Sequence, residues 1–160
     1  MIKTIFGLLS TALIVSPLSA EPLKCYLHVN AISLGSEPHE VIFTVANVSH
    51  DEVTILPWYT PLEGFWSDLF IITNVDGRAI DYLGPQAKRV TPTAEDFITL
   101  APDQILNETL NLKVAYTLAP GHYNLRFRAQ NNAWGCMHSL SQQSWAFQVD
   151  GKNASNVQAN

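Results

Sequence analysis

Few side chains in this sequence are spaced to do covalent or metal chemistry. His39-Glu40 begins like the zinc-hydrolase helix signature H-E-x-x-H, but the fifth position is Phe43. The run HEVIF is also rich in β-branched residues, so it does not predict a helix presenting two ligands on one face. The histidines are His28, His39, His50, His122 and His138, and no two of them have helical metal spacing. Neither a G-x-S-x-G nucleophile elbow nor a phosphate-cradling glycine loop occurs. The acidic residues are scattered, mostly through turns. The expectation is a protein that is not an enzyme and carries no cofactor.

Two groups of residues remain. The first is the cysteine pair, Cys25 and Cys136, which are 111 positions apart. In an oxidising compartment such a pair most simply forms a disulfide. The other reading is a soft, copper-like set made of Cys136, Met137 and His138 with His28. The second group is the stretch LPWYTPLEGFWSDLF, which packs Trp58, Tyr59, Phe65, Trp66 and Phe70 around Pro57 and Pro61. Only Glu63 is charged between positions 58 and 66. Charge depletion around rings is a property of interface cores and of folded cores alike. As a core corner, Pro57, Pro61 and Gly64 shape the turn while Leu62, Phe65 and Phe70 pack inside. As a docking surface, Trp58, Tyr59, Thr60, Pro61, Leu62, Glu63 and Trp66 face a partner, since Trp and Tyr are enriched in binding hot spots.

The elements that must position these residues are strands. CYLHVNAISL places Leu27, Val29 and Ala31 on one side, and HEVIFTVANVS is apolar on both sides. VTIL, DLFIITN, AIDYLG, FITL, QILNETLNL, HYNLRFRAQ and SWAFQV follow, with an Asp76-Gly77 hairpin signal between the second and third of these. A short helical turn is expected only at TAEDF, where Thr93 and Asp96 stand at capping-box spacing. Short strands separated by Pro and Gly predict an all-β fold, an immunoglobulin-like antiparallel β-sandwich of seven to nine strands. Within it, Pro120-Gly121 followed by Tyr123 and an alternating strand reads either as a tyrosine corner or as an ordinary turn with one aromatic.

Residues 1–20 read as an export signal: Lys3, an apolar run from Ile5 to Val15, and a cleavage region ending at Ala20. Residues 21–150 form the expected sandwich domain, and the polar segment 151–160 is an expected disordered tail. No second apolar run of about 20 residues follows, so no membrane span is expected. The whole chain carries a net charge of −5, without a Lys/Arg cluster. That balance argues against nucleic-acid partners and anionic lipid surfaces. The N-x-[ST] triplets at Asn47, Asn107 and Asn153 read as coincidence in a protein with a bacterial-type signal.

The wording F-T-V-A-N-V-S, then V-x-I-L-x-x-Y-T-P-L-E-G, then D-G-R-x-I-x-Y-L-G is similar to the N-terminal pro-domain of the deuterolysin family. These are secreted zinc endopeptidases, also called aspzincins. The likeness continues in L-x-P and A-Y-x-L-x-x-G-x-Y-x-L, so that it runs from about Phe43 to Ala129. The family's catalytic domain, with H-E-x-x-H and a downstream Asp ligand, is not contained in these 160 residues. The resemblance therefore implies only a pro-domain's part: a periplasmic or secreted protein that binds a zinc metallopeptidase and inhibits it or assists its folding. The competing expectation is a stand-alone adhesin or accessory domain that binds glycan or an envelope protein.

Overall fold

The computed structural model describes residues 21–30, 39–128 and 135–150. The expected signal, the polar tail and Asn153 lie outside the described residues. Among the described residues eight strands form: β1 (Leu23–Asn30), β2 (Glu40–Asn47), β3 (Val53–Ile55), β4 (Phe70–Asn74), β5 (Ile98–Leu100), β6 (Ile105–Asn111), β7 (Gly121–Phe127) and β8 (Trp145–Val149). Among the same residues one α-helix, α1, spans Gly135–Ser141. All pairings are antiparallel. One sheet has the order β1-β2-β6, a second the order β4-β7-β8, and β3 pairs with β5 as a two-stranded ribbon.

Period-two sequence produces this architecture directly. In β2, Val41, Phe43 and Val45 are fully buried, and in β7 Tyr123, Leu125 and Phe127 are buried while His122, Asn124 and Arg126 are exposed. The inward faces of the two three-stranded sheets share one apolar cluster, with Leu27, Val29 and Phe43 from the first and Phe70, Ile72 and Phe147 from the second. The molecule is thus an all-β sandwich. Burial of each of its large apolar side chains contributes about 1.5–3 kcal/mol.

Cys25 on β1 is bonded to Cys136 on α1, as the sequence suggested. The bond closes a loop of 111 residues, for which chain entropy gives roughly 4–5 kcal/mol. It also removes the Cys136 sulfur from the copper-like set, and His28 and His138 are both exposed. Among the described residues no group of three or more His, Cys, Asp or Glu could hold a metal ion.

Two expectations about local structure need correction. A short 3-10 turn does form at Ala94–Asp96 with the Thr93–Asp96 capping box, but α1 was not foreseen. Its buried residues Cys136, Met137 and Leu140 have helical spacing, yet seven residues are too few for a period to be read. The run AIDYLG is not a returning strand. A turn forms at Asn74–Gly77, with Gly77 at φ 76° and the Asn74 side-chain oxygen accepting from the backbone N–H groups of Asp76 and Arg78. The chain beyond it makes only the isolated bridges Thr73–Ala79 and Tyr82–Tyr116. Tyr82 packs partly buried against the core, with its hydroxyl 3.0 and 2.7 Å from the carbonyls of Phe65 and Pro85.

Candidate functional site

The aromatic turn between β3 and β4 is both a core corner and a surface feature. Its centre is a 3-10 turn, Pro61–Glu63. Thr60 caps it: the buried hydroxyl donates to the Pro57 carbonyl at 2.6 Å and accepts from the Leu62 N–H at 3.2 Å. Pro61 opens the turn, where its missing N–H costs nothing. Gly64 ends it at φ 75°, a conformation that a side chain would strain. Thr60 and Pro61 are therefore buried parts of the frame, and Leu62 packs half-buried against the core.

Glu63 fixes the approach to this turn. One carboxylate oxygen accepts from the Tyr59 backbone N–H at 2.7 Å, which holds Tyr59 at φ 61°. The other oxygen pairs with Arg89. The Arg89 guanidinium in turn lies over the Trp58 ring, 4.8 Å from its centroid. Trp58 is thereby half-covered by a cation from its own chain, an interaction worth about 0.5–2 kcal/mol.

Behind the turn stands a ladder of rings. Phe65 is buried and meets Phe70 and Tyr116 edge-on at 6.2 and 6.0 Å, and Tyr82 meets Tyr116 at 5.5 Å. The Tyr116 hydroxyl lies 3.0 Å from Asp68 Oδ1 and 3.3 Å from the Phe70 carbonyl. Burial, and then the Asp68 charge, push this phenol far above the ordinary tyrosine range. The same two causes raise Tyr82.

Trp66 is the ring left outside, 53% exposed, although its neighbours Phe65 and Ser67 are buried. Its carbonyl accepts from the Ala87 N–H at 2.8 Å, which anchors the backbone while the indole faces outward. Together with Tyr59, Ser67, Asp68, Gln86 and Arg128 it lines an open depression of about 350 Å³. Asp68 and Arg128 form an ion pair there at 3.0 Å.

The sequence singled out Trp58, Tyr59, Thr60, Pro61, Leu62, Glu63 and Trp66 as one contact surface. The structure separates them into a frame (Thr60, Pro61, Leu62, Glu63), a half-covered ring (Trp58), a half-buried ring (Tyr59) and an exposed one (Trp66). Ser67, Asp68, Gln86, Arg89 and Arg128 were missed: Arg89 reaches Glu63 from 26 positions away and Arg128 lies further still, and nothing local marks Ser67 and Asp68 as lining a depression with them. Elsewhere, the Tyr123 hydroxyl donates to the Ala119 carbonyl at 2.8 Å, and its buried ring stacks on Phe147 at 5.4 Å.

No protein-family model matches the chain. Over 128 residues it is 27% identical to an extracellular protease of Aeromonas hydrophila, a match covering 79% of this chain and 36% of that protein. The chain thus spans about a third of the length of the relative it matches. It is similar, over most of its own length, to a region of a secreted protease. That likeness and the disulfide both fit an exported protein. The crystal structure of the yjhA protein from Bacillus subtilis aligns with 86% of this chain and 98% of that one, at 13% identity. Its TM-score of 0.31 is too low to assign a shared fold.

Proposed function

We propose that this chain is an exported, non-catalytic module of the periplasm or extracellular space that binds a secreted zinc metallopeptidase, acting as its inhibitor or folding helper in the manner of a pro-domain. The observation that supports this reading is the 128-residue likeness to part of an extracellular protease. The turn that carries the pro-domain wording also holds its outer ring, Trp66, on a braced backbone. A large ring presented on a fixed backbone is suited to anchoring a protein partner, since little conformational freedom remains to be lost on binding.

The test uses the chain and secreted zinc peptidases of its host. Stoichiometric inhibition, or a raised yield of active enzyme on refolding, is the expected result. Trp66→Ala should weaken the association by more than about 1 kcal/mol. The unfolding midpoint should barely move, since exposed substitutions usually stay within about 0.5 kcal/mol. If no such enzyme is bound, inhibited or helped to fold, the peptidase role is refuted.

A further inference from the structure

The depression beside Trp66 has more hydrogen-bond donors than it uses. Ser67 is only 8% exposed, and its Oγ has no hydrogen-bond partner. Leaving a buried hydroxyl unpaired costs free energy unless a ligand or water completes it. Arg128 commits one Nη to Asp68, yet a guanidinium carries five N–H groups, and this side chain is 44% exposed. The acceptors are more fully engaged. Asp68 Oδ1 takes the Tyr116 hydroxyl and Oδ2 takes Arg128. Gln86 adds an exposed amide. The chain as a whole is acidic, whereas the charges lining the depression balance, Arg128 against Asp68, and its unused capacity is in donors. Its walls are the rings of Tyr59 and Trp66.

We infer that this depression receives a carboxylate from the protein partner, with Arg128 and Ser67 donating to its oxygens and the Trp66 ring covering the apolar group beside it. This rests on the reading of the chain as a protein-binding module and names the chemistry of the contact. The carboxylate is either a chain terminus or an acidic side chain. Arg suits it because its planar fork can bond both oxygens at once. Asp68 stands against the contact in two ways: it occupies one Nη of Arg128, and its own charge repels the incoming anion.

That opposition gives the test a sign. The Trp66 indole N–H signal, assigned with Trp66→Phe, is followed by NMR in the full chain. Three probes are titrated: N-acetyl-leucyl-phenylalanine as the free acid, the same peptide as its amide, and N-acetyl-glutamyl-phenylalanine amide. At least one carboxylate probe should bind tenfold or more tighter than the neutral amide, and whichever does so identifies a terminal or a side-chain source. Arg128→Gln should abolish that preference. Asp68→Asn keeps an acceptor for Tyr116 but removes the repelling charge, so affinity for the carboxylate should rise severalfold. Equal binding of acid and amide, no shift with either carboxylate, or weaker binding in Asp68→Asn would each overturn the inference. So would a shift caused by neutral saccharides alone. Should Arg128→Gln fail to fold, the sign of the Asp68→Asn effect still decides. The two readings also fail separately. A peptidase bound equally well by wild type and Arg128→Gln sinks the carboxylate site alone. Carboxylate binding without any peptidase binding sinks the peptidase role alone.

Discussion

Asn47 ends β2 with 1% exposure and holds three segments together, so its replacement provides a strong test of how the sandwich is closed. Its side-chain nitrogen lies 2.8, 3.0 and 3.1 Å from the carbonyls of Asp51, Leu100 and Ala101. Its oxygen accepts from the Ser49 N–H at 3.0 Å and the Ser49 hydroxyl at 2.7 Å. Asn47→Ala removes all of these. The contacts to Asp51, Ala101 and Ser49 are part-buried, so water can replace some of them. The bond to Leu100 is buried, and its carbonyl would be stranded at a cost of about 1–3 kcal/mol. With about 0.5–1 kcal/mol for the others together, the expected loss is roughly 3 kcal/mol. In urea, with an m-value of about 1.5 kcal/mol/M for a domain of this size, the midpoint should fall by about 2 M. Asn47→Asp keeps the shape but turns a carboxylate toward three carbonyls. At neutral pH it should be the worse variant, and acidification, by protonating the carboxyl, should narrow the gap to Asn47→Ala. A midpoint shift below about 0.5 M for Asn47→Ala, or an Asp variant as stable as wild type at pH 7, would refute the reasoning.

Two further outcomes are expected. Tyr123→Phe keeps the ring on Phe147 but loses the bond to Ala119, so chemical denaturation should show a loss of about 1 kcal/mol; an unchanged midpoint would mean the hydroxyl holds nothing. Because Tyr116 is held protonated in the folded state, its contribution to stability should be full below the unfolded tyrosine pKa of about 10 and fall as pH rises above it. Tyr116→Phe should therefore lose less stability than wild type between neutral pH and the alkaline range, and parallel curves for the two proteins would contradict this.

What could be read from the sequence follows from the range of each interaction. The strands of the two larger sheets were legible because alternation is local: Tyr123, Leu125 and Phe127 announce their buried face within five residues. The cysteine pair was legible because export leaves it few other fates. The turn at residues 57–64 was legible as a turn, since Pro57, Pro61 and Gly64 are local signals. Its orientation was not. Which ring faces out depends on Arg89 reaching back to Glu63 and Trp58, and on Ala87 binding the Trp66 carbonyl. These are tertiary pairings that no periodicity carries. The helix α1 was hidden for a different reason. Its three inward residues make one turn of apolar spacing, and the bond from Cys136 to β1 supplies the anchoring that its length does not.

The braced turn also bears on why the proposed contact would fall at Trp66 and not at Trp58. In the sequence both are large rings of one stretch in which only Glu63 is charged between positions 58 and 66. Trp58 already has a cation over its face, and that cation's charge is met by Glu63, a side chain only 10% exposed. Docking a partner on Trp58 would mean displacing Arg89 and leaving Glu63 without its counter-ion in a poorly hydrated place, a change that costs more than an exposed ring gains. Trp66 requires no such rearrangement. Its backbone is fixed through the Ala87 N–H, its neighbours Phe65 and Ser67 are buried, and its ring faces solvent beside a hydroxyl without a partner. Binding there would exchange water for protein at a site whose conformational cost was met when the domain folded. On this account the internal pairing of Trp58 serves the presentation of Trp66, and the two substitutions should behave differently: Trp58→Ala destabilises the turn, while Trp66→Ala leaves the fold intact and weakens the contact.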